Sequence, residues 1–238
     1  MAGPGNLLIA GLPQPLRRRL VARFEPVELR LSQVLCRSGE RMQYVFFPTR
    51  SFISLIAPLD GHTGLEVGLV GDEGMVGASL MLGIEAAPMD GLVQGAGVAW
   101  RMEAAVFLRE LSRSPPLRQV LNRYLYVTLT QLAQTAACTR FHLVEARLAR
   151  WLLMTRDRAH AEEFYVTHEF LSTMLGVRRA GITRAAVALR KRNLIDYSRG
   201  LLTVIDDKGL ERASCSCYAT LNDNYSRVLG RLATPAGP

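Results

Sequence analysis

Downstream of Gly176, in the stretch EFLSTMLGVRRAGITRAAVALRKRNLI (Glu169 to Ile195), six basic side chains crowd a short span: Arg178, Arg179, Arg184, Arg190, Lys191 and Arg192. A guanidinium presents a rigid fork of donors that can bond guanine O6 and N7 together or grip a phosphate. Helical spacing from about Arg178 brings Arg178, Arg179, Ala180, Thr183 and Arg184 into the first turns of one helix, where they can meet a duplex as a group. Arg190, Lys191 and Arg192 fall at the far end, where cations suit the helix dipole, so a solvated last turn explains them at least as well as DNA contact.

Two other groups of residues have chemical potential. His62, Glu66, Asp72 and Glu73 lie near one turn and could supply acid and base groups, but nothing near them positions a nucleophile, a metal or a phosphate loop. The sequence therefore predicts no enzyme. Cys36, Cys138, Cys215 and Cys217 are scattered apart from one C-S-C pair, with no C-x-x-C and no His/Cys ligand spacing. Cys215 and Cys217 could form half of a redox or metal site; they read instead as reduced, small, buried side chains, and no metal site is expected.

The elements that must position the arginines are legible around them. Thr167 is an N-cap and Glu169 suits the first turn of a helix with Leu171, Met174 and Leu175 inward. Gly176 permits the left-handed conformation that ends this helix, and a second runs to about Arg192 with Ile182, Ala185, Ala186 and Leu189 inward. Two helices on a short glycine turn make a helix-turn-helix. LIDYSRGLLTVID then alternates apolar and polar about Ser198-Arg199-Gly200, which predicts a hairpin wing with Ser198 and Arg199 at its tip, near the phosphate backbone.

Upstream, residues 12–22 read as a short helix whose arginine run is a solvated face. Short β-rich runs, Val27–Leu31, Tyr44–Phe47, Phe52–Ile56, Leu65–Val70, Leu92–Val93 and Val98–Met102, alternate with glycine turns and suggest an antiparallel barrel or double-sheet roll. After Pro115-Pro116 the spacing becomes helical. Leu117, Leu121, Tyr124, Leu125, Thr128 and Leu132 form a stripe that either packs on its own barrel or pairs with the same helix of a second chain; its length favours a homodimer. A further helix, Phe141 to Arg156, has Leu143/Val144, Leu148 and Trp151/Leu152 on its inner face. The expected fold is α+β: an antiparallel, jelly-roll-like β-roll over 1–114, a long dimerisation helix over 115–138 and a winged helix-turn-helix domain over 139–238, with a frayed tail after Leu232.

Composition agrees with this organisation. The 238 residues, 49% of them hydrophobic, can bury a sizeable core, and the net charge of +8 favours an anionic partner, double-stranded DNA first. Residues 139–238 carry 16 Lys+Arg against 10 Asp+Glu, so most of the excess sits with the helix-turn-helix. No apolar stretch reaches the roughly 20 residues a membrane span needs, and the N-terminus is a poor signal peptide, so the sequence reads as cytoplasmic and free of the membrane.

These segments resemble the Crp/Fnr family of bacterial transcription regulators. The likeness rests on VFFPTRSFISLI and EVGLVGDEGMVG in the roll, the long helix, FHLVEARLARWLL, and THEFLSTMLGVRRAGITRAAVALRKRNLI with its wing. The family's Arg-Glu-x-x-x-Arg recognition frame falls on Arg179, Ala180 and Arg184. Ala180 stands where the acidic base reader would be, which implies a different DNA site, since alanine offers a thymine methyl contact but accepts nothing from cytosine N4. The resemblance implies an effector pocket at Gly71, Glu73, Gly74 and Met75, with Leu132 and Ala133 where the cyclic-AMP-responding member has hydroxyls. From Gly71 to Gly95 there is no Arg or Lys to hold a phosphate, so cyclic AMP or cyclic GMP is not expected to bind in the usual way. The effector stays unnamed: an uncharged apolar molecule, another ligand, or none, with the roll then a pure interaction module. The N-terminal cysteine cluster of iron–sulfur members is absent, and His62 and His142 read as surface or packing histidines. RNA polymerase is an implied partner if the protein activates.

Overall fold

The computed structural model describes residues 5–60 and 62–230; the tail after Leu232 and the side chain of His62 lie outside the described part. Two short helices come first, α1 (Leu7–Ala10) and α2 (Gln14–Val21). Leu16 and Leu20 of α2 face the core, and Arg19 reaches Glu110 at 3.0 Å. Seven strands follow: β1 (Glu25–Leu29), β2 (Val34–Cys36), β3 (Tyr44–Pro48), β4 (Phe52–Leu59), β5 (His62–Val70), β6 (Asp90–Gly95) and β7 (Gly97–Glu103). They form two antiparallel sheets, ordered β1-β7-β3 and β2-β6-β4-β5, as a roll requires. Val45, Phe47, Ile53, Met75, Val93 and Met102 fill the space between them. β2 is too short to show an alternating pattern and carries no separate signal in the sequence.

Helix α3 (Ala104–Arg113) closes the roll, and Ser114 caps α4 (Pro115–Phe141), accepting a hydrogen bond from the Leu117 amide at 3.4 Å. With 27 residues, α4 is about 40 Å long. It extends past the expected end at 138. Its buried residues are Leu117, Leu121, Tyr124, Val127, Gln131, Thr135 and Cys138. This corrects the dimerisation stripe: Leu117, Leu121 and Tyr124 belong to the roll's own core, with Leu125, Thr128 and Leu132 at its half-buried flanks. From Leu117 to Val127 the stripe packs into the core of the roll.

The second half contains α5 (Val144–Ala159), β8 (Glu163–Tyr165), α6 (His168–Leu175), α7 (Arg179–Lys191), β9 (Ile195–Ser198), β10 (Leu201–Val204), α8 (Asp207–Ala213) and α9 (Cys217–Leu229). Strands β8, β10 and β9 make a three-stranded antiparallel sheet. Leu148, Leu152, Leu171, Ile182, Leu189, Leu202 and Leu210 form its core. Helix α9 returns to α4, where the Gln131 amide donates to the Tyr225 hydroxyl at 3.1 Å and Tyr225 and Leu229 join the core of the roll. Among the described residues no helix is long and apolar enough to cross a membrane.

Candidate nucleic-acid interface

The turn between α6 and α7 is built by local chemistry. Thr167 accepts a hydrogen bond from the Phe170 amide at 3.1 Å, starting α6, and Gly176 ends it with φ +61°, its amide bonded to the Ser172 and Thr173 carbonyls. The left-handed φ is what calls for glycine here; a Cβ would also meet Leu65 Cδ1 of β5 at 2.7 Å, a contact a shift of that leucine would relieve. Arg147 donates from α5 to the Leu175 carbonyl, holding the end of α6.

Helix α7 keeps Ile182, Ala185, Ala186 and Leu189 inward. Arg178, Arg179, Ala180, Thr183 and Arg184 are all exposed, and the structure brings them onto the free side of one helix end. Val187, one turn on, is exposed on the same side, and sequence reasoning overlooks it because valine there resembles one more core residue. Thr183 bonds the Arg179 carbonyl and pairs with His168 Nδ1, each at 3.1 Å, and the His168 ring stacks on Tyr197 of the wing. Burial, then the nearby charge of Arg179, holds the His168 pKa below the usual imidazole range. Arg179 approaches Glu169 at 3.8 Å, both exposed, which leaves the guanidinium available to a phosphate or a base. Arg190 pairs with Asp196 at 2.8 Å and Arg192 with Glu145 at 3.0 Å, as structural ion pairs would.

The wing turns at Arg199 (φ +51°) and Gly200 (φ +89°), with Ser198 opposite Leu201 as the last strand pair. Ser198 and Arg199 are exposed at this tip, while Gly200 is buried against the Tyr165 ring, 2.5 Å from where a Cβ would stand.

The expected effector residues are not brought together around open space. Met75 lies in the core of the roll, and the Tyr124 hydroxyl donates to its carbonyl at 3.0 Å. A Cβ at Gly74 would meet that hydroxyl at 2.7 Å, and one at Gly71 would meet Glu73 and Arg158. Glu73 forms a buried ion pair with Arg158 of α5 at 2.7 Å. Leu132 is half-buried on α4 and Ala133 is exposed. The Gly71–Met75 turn is thus filled by the protein's own side chains.

That turn and strand β5 hold the helix-turn-helix half. His160 pairs with Asp72 at 3.1 Å, and Trp151 Nε1 donates to Glu66 Oε1 at 2.9 Å. Glu66 also accepts from Ser54 at 2.6 Å; burial dominates, against these bonds and the charges of Arg150 and Arg158, and pushes its pKa up to about 7. These contacts lack a sequence signal, because each joins residues far apart in the chain.

A second unexpected cluster joins Cys138, His142, Cys215 and Cys217, whose ligand-capable atoms all lie within 4.8 Å of one another. Contrary to the expectation of no His/Cys ligand spacing, Cys138 and His142 stand one helical turn apart, and that pair is the signal available for the cluster.

The family model for the Crp-like helix-turn-helix domain matches residues 146–213. Comparison with curated proteins returns no match. The fold as a whole is similar to three solved structures. A Crp/Fnr-family regulator from Eubacterium rectale aligns with TM-score 0.68 and 17% identity over 87% of this chain and 96% of its own. A CRP-family regulator from Thermus thermophilus gives 0.67 and 15% over 79% and 96%. The c-di-GMP responsive global regulator CLP of Xanthomonas campestris gives 0.66 and 16% over 82% and 100%. The chain therefore carries a Crp-like helix-turn-helix domain within the overall fold of Crp/Fnr-family transcription regulators.

Proposed function

We propose that the chain is a sequence-specific, DNA-binding transcription regulator that acts as a homodimer and performs no catalysis. The observation that carries the proposal is the face of α7: Arg178, Arg179, Ala180, Thr183, Arg184 and Val187 exposed together at the end of a helix-turn-helix, beside a basic wing tip. In this layout the start of the second helix enters the major groove and the wing rides the backbone. Arg179 and Arg184 are the proposed base readers, Ala180 and Val187 offer methyl contacts to thymine, and Ser198 and Arg199 hold phosphate.

A second stripe on α4 supports the homodimer. Asn122, Tyr126, Leu129, Ala133, Ala136 and Arg140 recur at steps of four and three, a 3.5-residue period. All six are exposed, with Tyr126 and Leu129 large and apolar. Pairing through this face suits two heads held about 34–36 Å apart, one turn of DNA. The filled Gly71–Met75 turn favours a roll that fixes the heads without a cyclic nucleotide, acting as an interaction module. Arg179→Ala and Arg184→Ala test the reading: each is expected to weaken the selected duplex by about 1–3 kcal/mol while leaving random duplex nearly unchanged. Equal losses on both duplexes would reduce these residues to phosphate contacts.

A further inference from the structure

Three of the chain's four cysteines converge on one histidine, at the point where the long helix gives way to the DNA-reading half. Cys138 lies in the last turn of α4 and His142 caps it, while Cys215 and Cys217 flank Ser216 in the turn from α8 to α9. The three thiols are buried and free, and His142 is half-buried. Cys138 Sγ stands 3.5 Å from Cys215 Sγ, and Cys217 Sγ stands 3.4 Å from His142 Nδ1.

These separations match the edges of one coordination tetrahedron. With Zn–S near 2.3 Å and Zn–N near 2.0–2.1 Å, a tetrahedron has S···S edges of about 3.8 Å and S···N edges of about 3.5 Å. A disulfide would need its sulfurs at about 2.05 Å. A four-iron cluster would spread its ligand sulfurs well beyond the 4.8 Å that contains this whole set. Three thiolates and one imidazole form a soft, closed donor set of the structural zinc type, unsuited to Mg2+ or Ca2+.

The surroundings point independently to a bound anionic centre. Arg150 of α5 is buried with its Nε and one terminal nitrogen lacking hydrogen-bond partners, and it lines a crevice with Thr135 and Thr139 on the last turns of α4. Three thiolates, a neutral imidazole and a divalent cation sum to one negative charge, which gives that guanidinium a counter-charge. The Gln134 amide donates to Cys217 Sγ at 3.0 Å, the kind of outer-shell bond that orients a thiolate ligand.

We propose that Cys138, His142, Cys215 and Cys217 bind one Zn2+ ion per chain. The ion staples the end of α4 to the α8–α9 turn and so fixes the hinge at His142–Leu143, from which α5 departs. If the chain is the dimeric regulator argued above, the staple fixes how the long helices aim the DNA-reading heads.

Metal content of the full-length, reduced protein tests this without reference to DNA. After loading with Zn2+ and dialysis, one ion per chain is expected; loading with Co2+ should give thiolate charge-transfer bands and the intense ligand-field absorption of a tetrahedral ion. Cys36→Ser should keep both, since that thiol lies in the roll. Cys217→Ser should lose them, and His142→Ala, at a less buried ligand, should weaken binding at least about tenfold while the chain stays folded. Wild-type chain that retains much less than one ion, binds an iron–sulfur cluster in place of the single ion, or holds zinc equally well after His142→Ala and Cys217→Ser would overturn the assignment. Failure of the protein to select a DNA site would leave these readings unaffected.

Discussion

Glu66 sits between the two halves of the chain, and its hydrogen bonds show why its proton matters. The Ser54 hydroxyl has one proton but faces both Glu66 Oε2 and Gln94 Oε1. The Ser54 hydroxyl donates to Glu66 Oε2 and Trp151 Nε1 donates to Oε1, and both bonds favour the charged carboxylate that burial penalises. Burial raises the folded pKa from 4.5 to about 7. A raised acid is not penalised below its unfolded pKa, so this stabilisation is complete below about pH 4.5, falls as pH rises and is lost by about pH 7. The loss is at most roughly 3.5 kcal/mol, from a rise of 4.5 to about 7 at about 1.4 kcal/mol per unit. His160, its pKa raised chiefly by the hydrogen bond to Asp72, also loses stabilisation as pH rises, so the variant must be compared with wild type and not read alone. Glu66→Gln is expected to flatten the fall in unfolding free energy between pH 4.5 and 7 relative to wild type; parallel curves would assign the effect elsewhere. Gly176, Thr167 and the arginines are legible in the sequence because their roles are set by neighbours within a few positions. Glu66 and Arg158 are not: Trp151 lies 85 positions from Glu66, and Glu73 lies 85 from Arg158.

Helix α4 has two stripes with different work. The strong one, through Leu117, Leu121 and Tyr124, is visible at once in the sequence and reads there as a partner surface; burial gives it to the roll. Packing on the roll as far as Val127, and on α9 from Gln131 onward, accounts for its length. The weaker stripe of Tyr126, Leu129, Ala133 and Ala136 escapes notice because tyrosine and alanine give little apolar contrast beside leucine. The two stripes predict opposite phenotypes. Leu129→Arg is expected to yield a folded monomer by sedimentation equilibrium, with the unfolding midpoint of the separated chain largely preserved. Leu121→Ala is expected to cost about 2–5 kcal/mol of stability through a cavity in the roll, without a specific effect on association. A Leu129→Arg chain that remained dimeric would move the interface off this face. Helices α8 and α9 go unread because their segments are short or polar on one side, and α9 acquires its partner, α4, only in the fold.

For the whole molecule, charge and topology point the same way. The net +8 is concentrated in the half that carries α7 and the wing, so the proposed encounter with DNA should be strongly salt-dependent, with specificity expected from the few side chains proposed to reach bases. The roll, long helix and winged head are readable as an order of textures: alternating short strands, a 3.6-residue period, then paired helices and a hairpin. What that order does not contain is how the roll grips the head through Trp151, Arg158 and His160, because long-range pairing leaves no local periodicity. In the proposed homodimer, two heads read one symmetric site. Selection from a random duplex library by purified protein, without added ligand, tests it most directly. Enrichment of a two-fold symmetric sequence with half-sites about one helical turn apart is expected, and it should be lost in a Leu129→Arg monomer. Enrichment of an asymmetric single site, or salt-sensitive binding with no sequence enriched at all, would contradict it.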